Sequence, residues 1–280
     1  MNKMKKIVKI INSNKPFLAV LSVVLSLLLV AGSTYSWITY SDERINQNKP
    51  NQKKLSAVID EIYTPNLQWE PGTTTDKKMA IRNDGQMPAV IRVSLYEFFA
   101  QFELDTIDGV GNGNLKIVSK PSNTTMTMAD ASTWKKGSTY KFASGKYYTA
   151  AEVYKSDKNN PKTAYIYNGS RVVEGLKYIT INFNDKDIYD VNNQPALGTK
   201  DYWYYSEGYF YYSEPLQPKE KTKELVQSVT IDKNLPNKHK GSFYQLIPVM
   251  NAHDRTKALM ENWNITSGSY VDLMYRNIVR

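Results

Sequence analysis

Short stretches in which apolar and polar residues alternate, each closed by turn-forming residues, recur along this 280-residue chain and constrain it to a β-rich fold. Ile179, Ile181 and Phe183 alternate with Tyr178, Thr180 and Asn182; Ile91, Val93 and Leu95 alternate with Val90, Arg92 and Ser94. A period of two puts each set on one face, so both stretches read as strands with one buried face. Residues 55–63, 77–83, 164–167, 225–231 and 243–250 read the same way. Between them lie turn signals at Glu70-Pro71-Gly72, Asn83-Asp84-Gly85 and Asn168-Gly169. One segment near the end reads as a helix: Asp254 caps a run to Trp263 that carries Leu259, Met260 and Trp263 on one face. The expected fold is all-β, an antiparallel β-sandwich over residues 55–280 with a short C-terminal helix. Residues 101–175, with a glycine-rich run at 109–114, are expected to elaborate the sandwich as an irregular insertion.

The first 36 residues have a different character. Lys3, Lys5, Lys6, Lys9 and Lys15 precede a predominantly apolar segment at 17–30, and small residues follow at Ala31, Gly32, Ser33, Thr34 and Ser36. This order is that of a secretory signal peptide. A membrane anchor is the competing reading, but it needs about 20 apolar residues, and here Gly32 interrupts the run. Thr34 and Ser36 occupy the two positions a signal peptidase reads, which predicts cleavage before Trp37; cleavage after Ser33 is the alternative. The polar segment that follows, rich in Asn, Gln and Lys, cannot bury enough surface to order itself, so residues 37–54 are expected to form a mobile arm. Trp37, Ile38 and Tyr40 are its apolar anchors.

Composition narrows the function. Of 36 basic and 27 acidic residues, the leader holds five basic and no acidic ones, so its removal lowers the net charge of +9 by five. The remaining Lys and Arg are interleaved with Asp and Glu, which argues against a nucleic-acid partner. There is no cysteine, so thiolate catalysis and iron–sulfur chemistry are excluded. An exported chain without disulfides needs a large core, assembly, or another covalent brace such as a lysine–asparagine or lysine–aspartate cross-link.

Tyr202, Trp203, Tyr204 and Tyr205, then Tyr209, Phe210, Tyr211 and Tyr212, flank Ser206-Glu207-Gly208 and predict an aromatic hairpin with a three-residue loop. With aromatics at every position, one face packs on the sandwich and the other meets something else. That other face is expected to lie under the long insertion, to form a subunit interface, or to stack on sugars as a glycan platform.

Elsewhere the chain offers little chemistry. The two histidines, His239 and His253, belong to no His-Glu-x-x-His motif and face no Gly-x-Ser-x-Gly elbow. Asp185, Asp187 and Asp190 make a weak candidate for calcium, lacking the glycine and distal glutamate of the helix–loop–helix pattern. The expectation is a protein without cofactor, metal or catalytic residues.

The leader, arm and first strands resemble the TasA/BsaA family of exported biofilm-matrix fibre proteins, which includes the camelysins. The resemblance rests on 29–36 (LVAGSTYS), Ser41-Asp42, 59–62 (IDEI), 69–72 (WEPG), 78–85 (KMAIRNDG) and 88–93 (PAVIRV), and more loosely on 244–265. It implies a dedicated signal peptidase, a jelly-roll-like sandwich, and fibres built by donor-strand exchange, in which the freed N-terminal segment of one subunit pairs in the sheet of the next. It also implies a location in the extracellular matrix or on the cell surface of a Gram-positive-type bacterium, with the chain as its own partner and other matrix proteins or polysaccharide as further ones. Some members have been called metallopeptidases, but the zinc motif is missing here. The expected function is that of a secreted, homopolymeric fibre subunit, the alternative being a carbohydrate-binding surface adhesin that uses the aromatic hairpin.

Overall fold

The structure is a computed structural model and describes residues 54–63, 70–106 and 114–279. The expected cleavage site at Thr34, Ser36 and Trp37 and the arm anchors Ile38 and Tyr40 lie outside the described residues.

Two sheets face each other across one core. The smaller has the order β1 (Ala57–Tyr63), β2 (Thr74–Asn83), β11 (Val226–Ile231) and β7 (Ile179–Phe183), all antiparallel. The larger runs β4 (Thr125–Met126), β5 (Thr139–Ala143), β6 (Lys146–Lys155), β3 (Val90–Phe102), β10 (Tyr209–Tyr212), β9 (Trp203–Ser206) and β8 (Ile188–Tyr189). The eleven-residue β12 (Phe243–His253) pairs with β3 along its length, from Phe243↔Ala100 to His253↔Val90. Two short pairs, β4 with β5 and β8 with β9, are parallel, so the expectation of a wholly antiparallel sandwich is met except at these two margins.

The alternation in β7 places Ile179, Ile181 and Phe183 in the core, as the period of two requires. Each such side chain contributes about 1.5–3 kcal/mol by leaving water. Met79 and Ile81 of β2 and Val226 and Val229 of β11 complete that side. From the larger sheet come Ile91, Val93, Leu95 and Phe99 of β3, with Leu246 of β12.

β3 departs from its sequence reading, because its second face is buried too. Val90 lies under the C-terminal segment, while Tyr96, Phe98, Ala100 and Phe102 pack against Met126, Ala131, Trp134 and Ala150 of the insertion. The insertion thus adds strands β4–β6 to the larger sheet and folds across its outer face. A polar residue at every second position marks a solvated face only when nothing else covers it. Here Arg92 finds a partner, the Trp263 carbonyl, in the covering layer, and Ser94 bonds the Gly208 carbonyl of the neighbouring hairpin turn.

Local structure departs from the sequence pattern at two further places. Residues 164–167 form no strand: they follow the 3-10 turn Pro161–Thr163 irregularly, joined to β3 by Tyr165 N–H donating to the Leu95 carbonyl at 2.7 Å. At the C-terminus there are two helices, α1 (Ala258–Asn262) and α2 (Tyr270–Arg276). Asp254 does not cap α1 but accepts from Thr256 N and Oγ1 in the turn before it. α2 is capped by Ser269 Oγ, which accepts from Asp272 N at 3.2 Å, while Asp272 Oδ2 accepts from Gly268 N at 2.7 Å. That donation from the backbone, reinforced by Arg276, holds the Asp272 carboxyl below the usual range. The pair resembles the Ser-x-x-Asp capping box, a signal present in the sequence at 269–272, with the carboxylate reaching Gly268 N just before the cap instead of the N–H of Ser269 itself.

Candidate functional site

The aromatic hairpin is built as two alternating strands, and its two faces meet different layers. Trp203, Phe210 and Tyr212 enter the sandwich core, with Tyr205 packed against it. Tyr202, Tyr204 and Tyr211 face outward and are buried by α1 and α2 through Leu259, Trp263, Val271, Met274 and Tyr275, with Tyr209 at the margin. The cover is therefore the C-terminal helices and not the insertion. Tyr202, Tyr204 and Tyr211 are 2%, 3% and 6% exposed, which corrects the expectation of a glycan platform or subunit interface there, since neither a sugar nor a partner can reach those rings. Burial pushes the Tyr202, Tyr211 and Tyr275 hydroxyls up, keeping all three neutral.

The loop is shorter than the three residues expected. Ser206 pairs with Tyr209, leaving Glu207 and Gly208 as a two-residue turn with φ of 50° and 85°. Positive φ at both central positions is the type I′ geometry that matches the twist of a hairpin. Gly208 is required twice, because a Cβ there would stand 2.3 Å from the Pro161 carbonyl oxygen.

Arg92 ties the helices to this face. Its guanidinium lies 4.0 Å from the Tyr209 ring centroid and 4.7 Å from that of Trp263. Nη1 donates to the Trp263 carbonyl and Nε to Asn251 Oδ1, both at 3.1 Å. A desolvated cation over two rings needs no carboxylate neighbour.

The acidic loop does not converge. Asp185 Oδ1 accepts from Tyr167 OH at 2.9 Å, Asp187 Oδ2 from Asn184 Nδ2 at 2.5 Å, and Asp190 from Asn168 Nδ2 and Asn192 N. Each carboxylate is engaged by its own hydroxyl or amide donors, and among the described residues no group of three metal-ligating side chains is assembled, which corrects the candidate calcium site. His253 is held by Asp254 and Asn262, whereas His239 is buried and bonds nothing through its ring. The lysine–aspartate pairs Lys219–Asp84 and Lys221–Asp60 are exposed ion pairs at the surface, each worth at most about 1 kcal/mol. Lys77 and Glu61 form a more enclosed pair between β2 and β1.

One feature that sequence reasoning read only as a turn is the seat of the arm. Lys54 and Ser56, where the described chain begins, are bonded to the Asn83-Asp84-Gly85 turn. Gln86 N donates to the Lys54 carbonyl at 2.8 Å and Asp84 N to that of Ser56 at 3.1 Å. Asn83 is fully buried; its Nδ2 donates to the Met87 and Leu216 carbonyls and its Oδ1 accepts from Gly85 N, each at 2.8 Å. A Cβ on Gly85 would stand 2.6 Å from both Lys54 O and Ser56 N. Only glycine lets the incoming strand pass so close. Gly85→Ala is therefore expected to cost about 1–3 kcal/mol, read as a lower urea midpoint at unchanged slope. A midpoint equal to that of the native chain would show the two segments to be separable.

Comparison of the chain with family models, with curated proteins and with solved structures finds no match in any of the three.

Proposed function

We propose that this chain is an exported structural subunit that polymerises head-to-tail by donor-strand exchange into extracellular fibres of a biofilm matrix or cell surface. The observation that carries this reading is the position of β1 at a margin of the smaller sheet, beside the seat of the arm. Among the described residues β2 is the strand that pairs with β1, which makes β1 a margin of the smaller sheet there. β1 is also the first strand after the arm, and its Ile62 is 62% exposed. An edge of this kind is a template for an added strand.

β12, paired only with β3 among the described residues, is the other long edge. Pro248 interrupts it with a residue that has no N–H to give, the usual guard on an edge strand. β1 carries no proline and is the better acceptor. The resemblance to the TasA/BsaA fibre proteins supports the same reading. So does the burial of the aromatic hairpin, which removes the feature on which an adhesin rested.

The test begins with processing. N-terminal sequencing of the exported protein is expected to give Trp37 as the first residue, and electron microscopy of the processed chain to show filaments that the uncut precursor does not form. Processed chain that remains monomeric at high concentration would refute the proposal.

A further inference from the structure

His239 is an ionisable side chain sealed inside the protein with nothing to bond. It ends the 3-10 turn Asn237–His239 ahead of β12, is 3% exposed, and has no hydrogen-bond partner on either ring nitrogen. Its ring lies edge-on to Phe99 of β3, centroids 6.0 Å apart, and 5.6 Å from Tyr178 of the 3-10 turn Gly175–Tyr178. Ser242 Oγ in the same loop is likewise buried and unpartnered. The corner is tightly closed, since a Cβ on Gly175 would stand 2.2 Å from the Phe99 ring.

The charges around this ring are mixed, with Glu174 favouring an imidazolium less than burial and Lys238 oppose it. Its own loop supplies Lys238 and Lys240. The facing turn supplies Lys177, the Tyr178 hydroxyl and Glu174, whose carboxylate is already bonded to Lys177 at 2.9 Å and lies 3.6 Å from Lys238. On β3 the nearest acid in sequence to Phe99 is Glu97, engaged by Arg171 and by Tyr244 OH. Burial first, and the Lys238 charge second, hold the ring below its ordinary pKa.

We propose that His239 is an acid-sensitive latch, whose protonation opens the corner where the Asn237–His239 turn, the Gly175–Tyr178 turn and β3 meet. Above the ordinary histidine pKa of about 6.5 the ring is neutral whether the corner is closed or open, and the latch contributes nothing to pH dependence. Below it, the opened ring takes up a proton that the closed ring refuses, so the open form gains at the expense of the closed one as pH falls. Local opening of this kind precedes global unfolding when one unit is less stable than the rest.

The test uses the full chain and exploits its two histidines, whose imidazole resonances can be followed by NMR from pH 7.5 to 5.0 and assigned with His239→Phe. The resonance lost in that variant is expected to titrate with a midpoint clearly below about 6.5. Over the same range Tm of the native chain is expected to fall by about 3 °C per pH unit more than that of His239→Phe. His239→Gln, polar but unable to titrate, should share the flatter profile. Amide exchange at 175–178 and 237–242 should quicken before the rest. Parallel Tm profiles for native chain and variants, or an ordinary midpoint with protection at the corner unchanged, would overturn the proposal. Should His239→Phe fail to fold, the glutamine variant and the native titration still decide it.

Discussion

A chain lacking residues 37–49 is expected to fold as a monomer and form no filaments under conditions in which the intact processed chain assembles. A compact domain of this size is roughly 45 Å across. The segment from Trp37 to Lys54, fully extended, reaches about 60 Å, enough to leave one subunit and lie along its neighbour. On the proposed assembly Trp37, Ile38 and Tyr40, at the far end of that segment, would be the anchors in the neighbour's sheet and the polar residues behind them a tether. Strand addition supplies main-chain hydrogen bonds along a sheet edge, and side chains seated in pockets set the register. On the same proposal cleavage would also set the timing, because the anchors would stay joined to the leader until then. A contact of this head-to-tail kind closes into a ring only if its rotation permits; otherwise it continues as a filament. Trp37→Asp and Ile38→Asp are expected to weaken assembly in the same direction without altering the monomer's melting curve. Electron microscopy and size-exclusion chromatography check this together. Filaments of normal diameter from the deletion variant would remove the arm as the connector.

Tyr275→Ala is expected to cost about 3–5 kcal/mol, a large share of the roughly 5–15 kcal/mol that holds a domain folded. The residue is fully buried on α2, its ring meets Tyr211 and Trp263, and its hydroxyl donates to the Tyr212 carbonyl at 2.7 Å. Truncation opens a cavity and leaves that carbonyl without its donor. It also loosens the cover over Tyr202, Tyr204 and Tyr211, so the variant should bind hydrophobic dyes and aggregate on heating. Tyr275→Phe, which keeps the ring and loses the hydrogen bond, should cost only about 1 kcal/mol. Denaturant titration of both variants measures the difference. An alanine variant with the native midpoint would mean that α2 does not pack as a cover.

The all-β architecture was legible because strand periodicity and turn residues are local signals. The β7 alternation named its core face correctly, and the turns at Glu70-Pro71-Gly72 and Asn83-Asp84-Gly85 fall where the sequence puts them. What was hidden is tertiary. Nothing in Val90, Arg92 and Ser94 says that a second layer will cover them, since Arg92 earns its burial only by meeting Tyr209 and Trp263 from distant segments. The aromatic hairpin was found, with one face correctly assigned to the core, but its cover came from helices of which only one had been expected. The capping pair Ser269 and Asp272 was the missed local cue. The seat of the arm was likewise half visible: the glycine of the Asn-Asp-Gly turn reads as turn chemistry, while the close passage of Lys54 and Ser56 needs the fold.

β3 carries a further consequence. Its thirteen residues supply one wall to each of three apolar clusters: the sandwich interior, the layer under α1 and α2, and the layer under the insertion. A wall shared in this way cannot be divided among modules. Removing either appended layer bares residues of a strand that the sandwich also needs, Val90 on the helix side and Tyr96, Phe98, Ala100 and Phe102 on the insertion side, so the covering segments and the two sheets are expected to melt together. Any gain or loss of length in those segments is therefore bounded by the same strand. Tolerated variation is confined to the loops that hang from the layers, and the layers themselves are as indispensable as the sheets they cover.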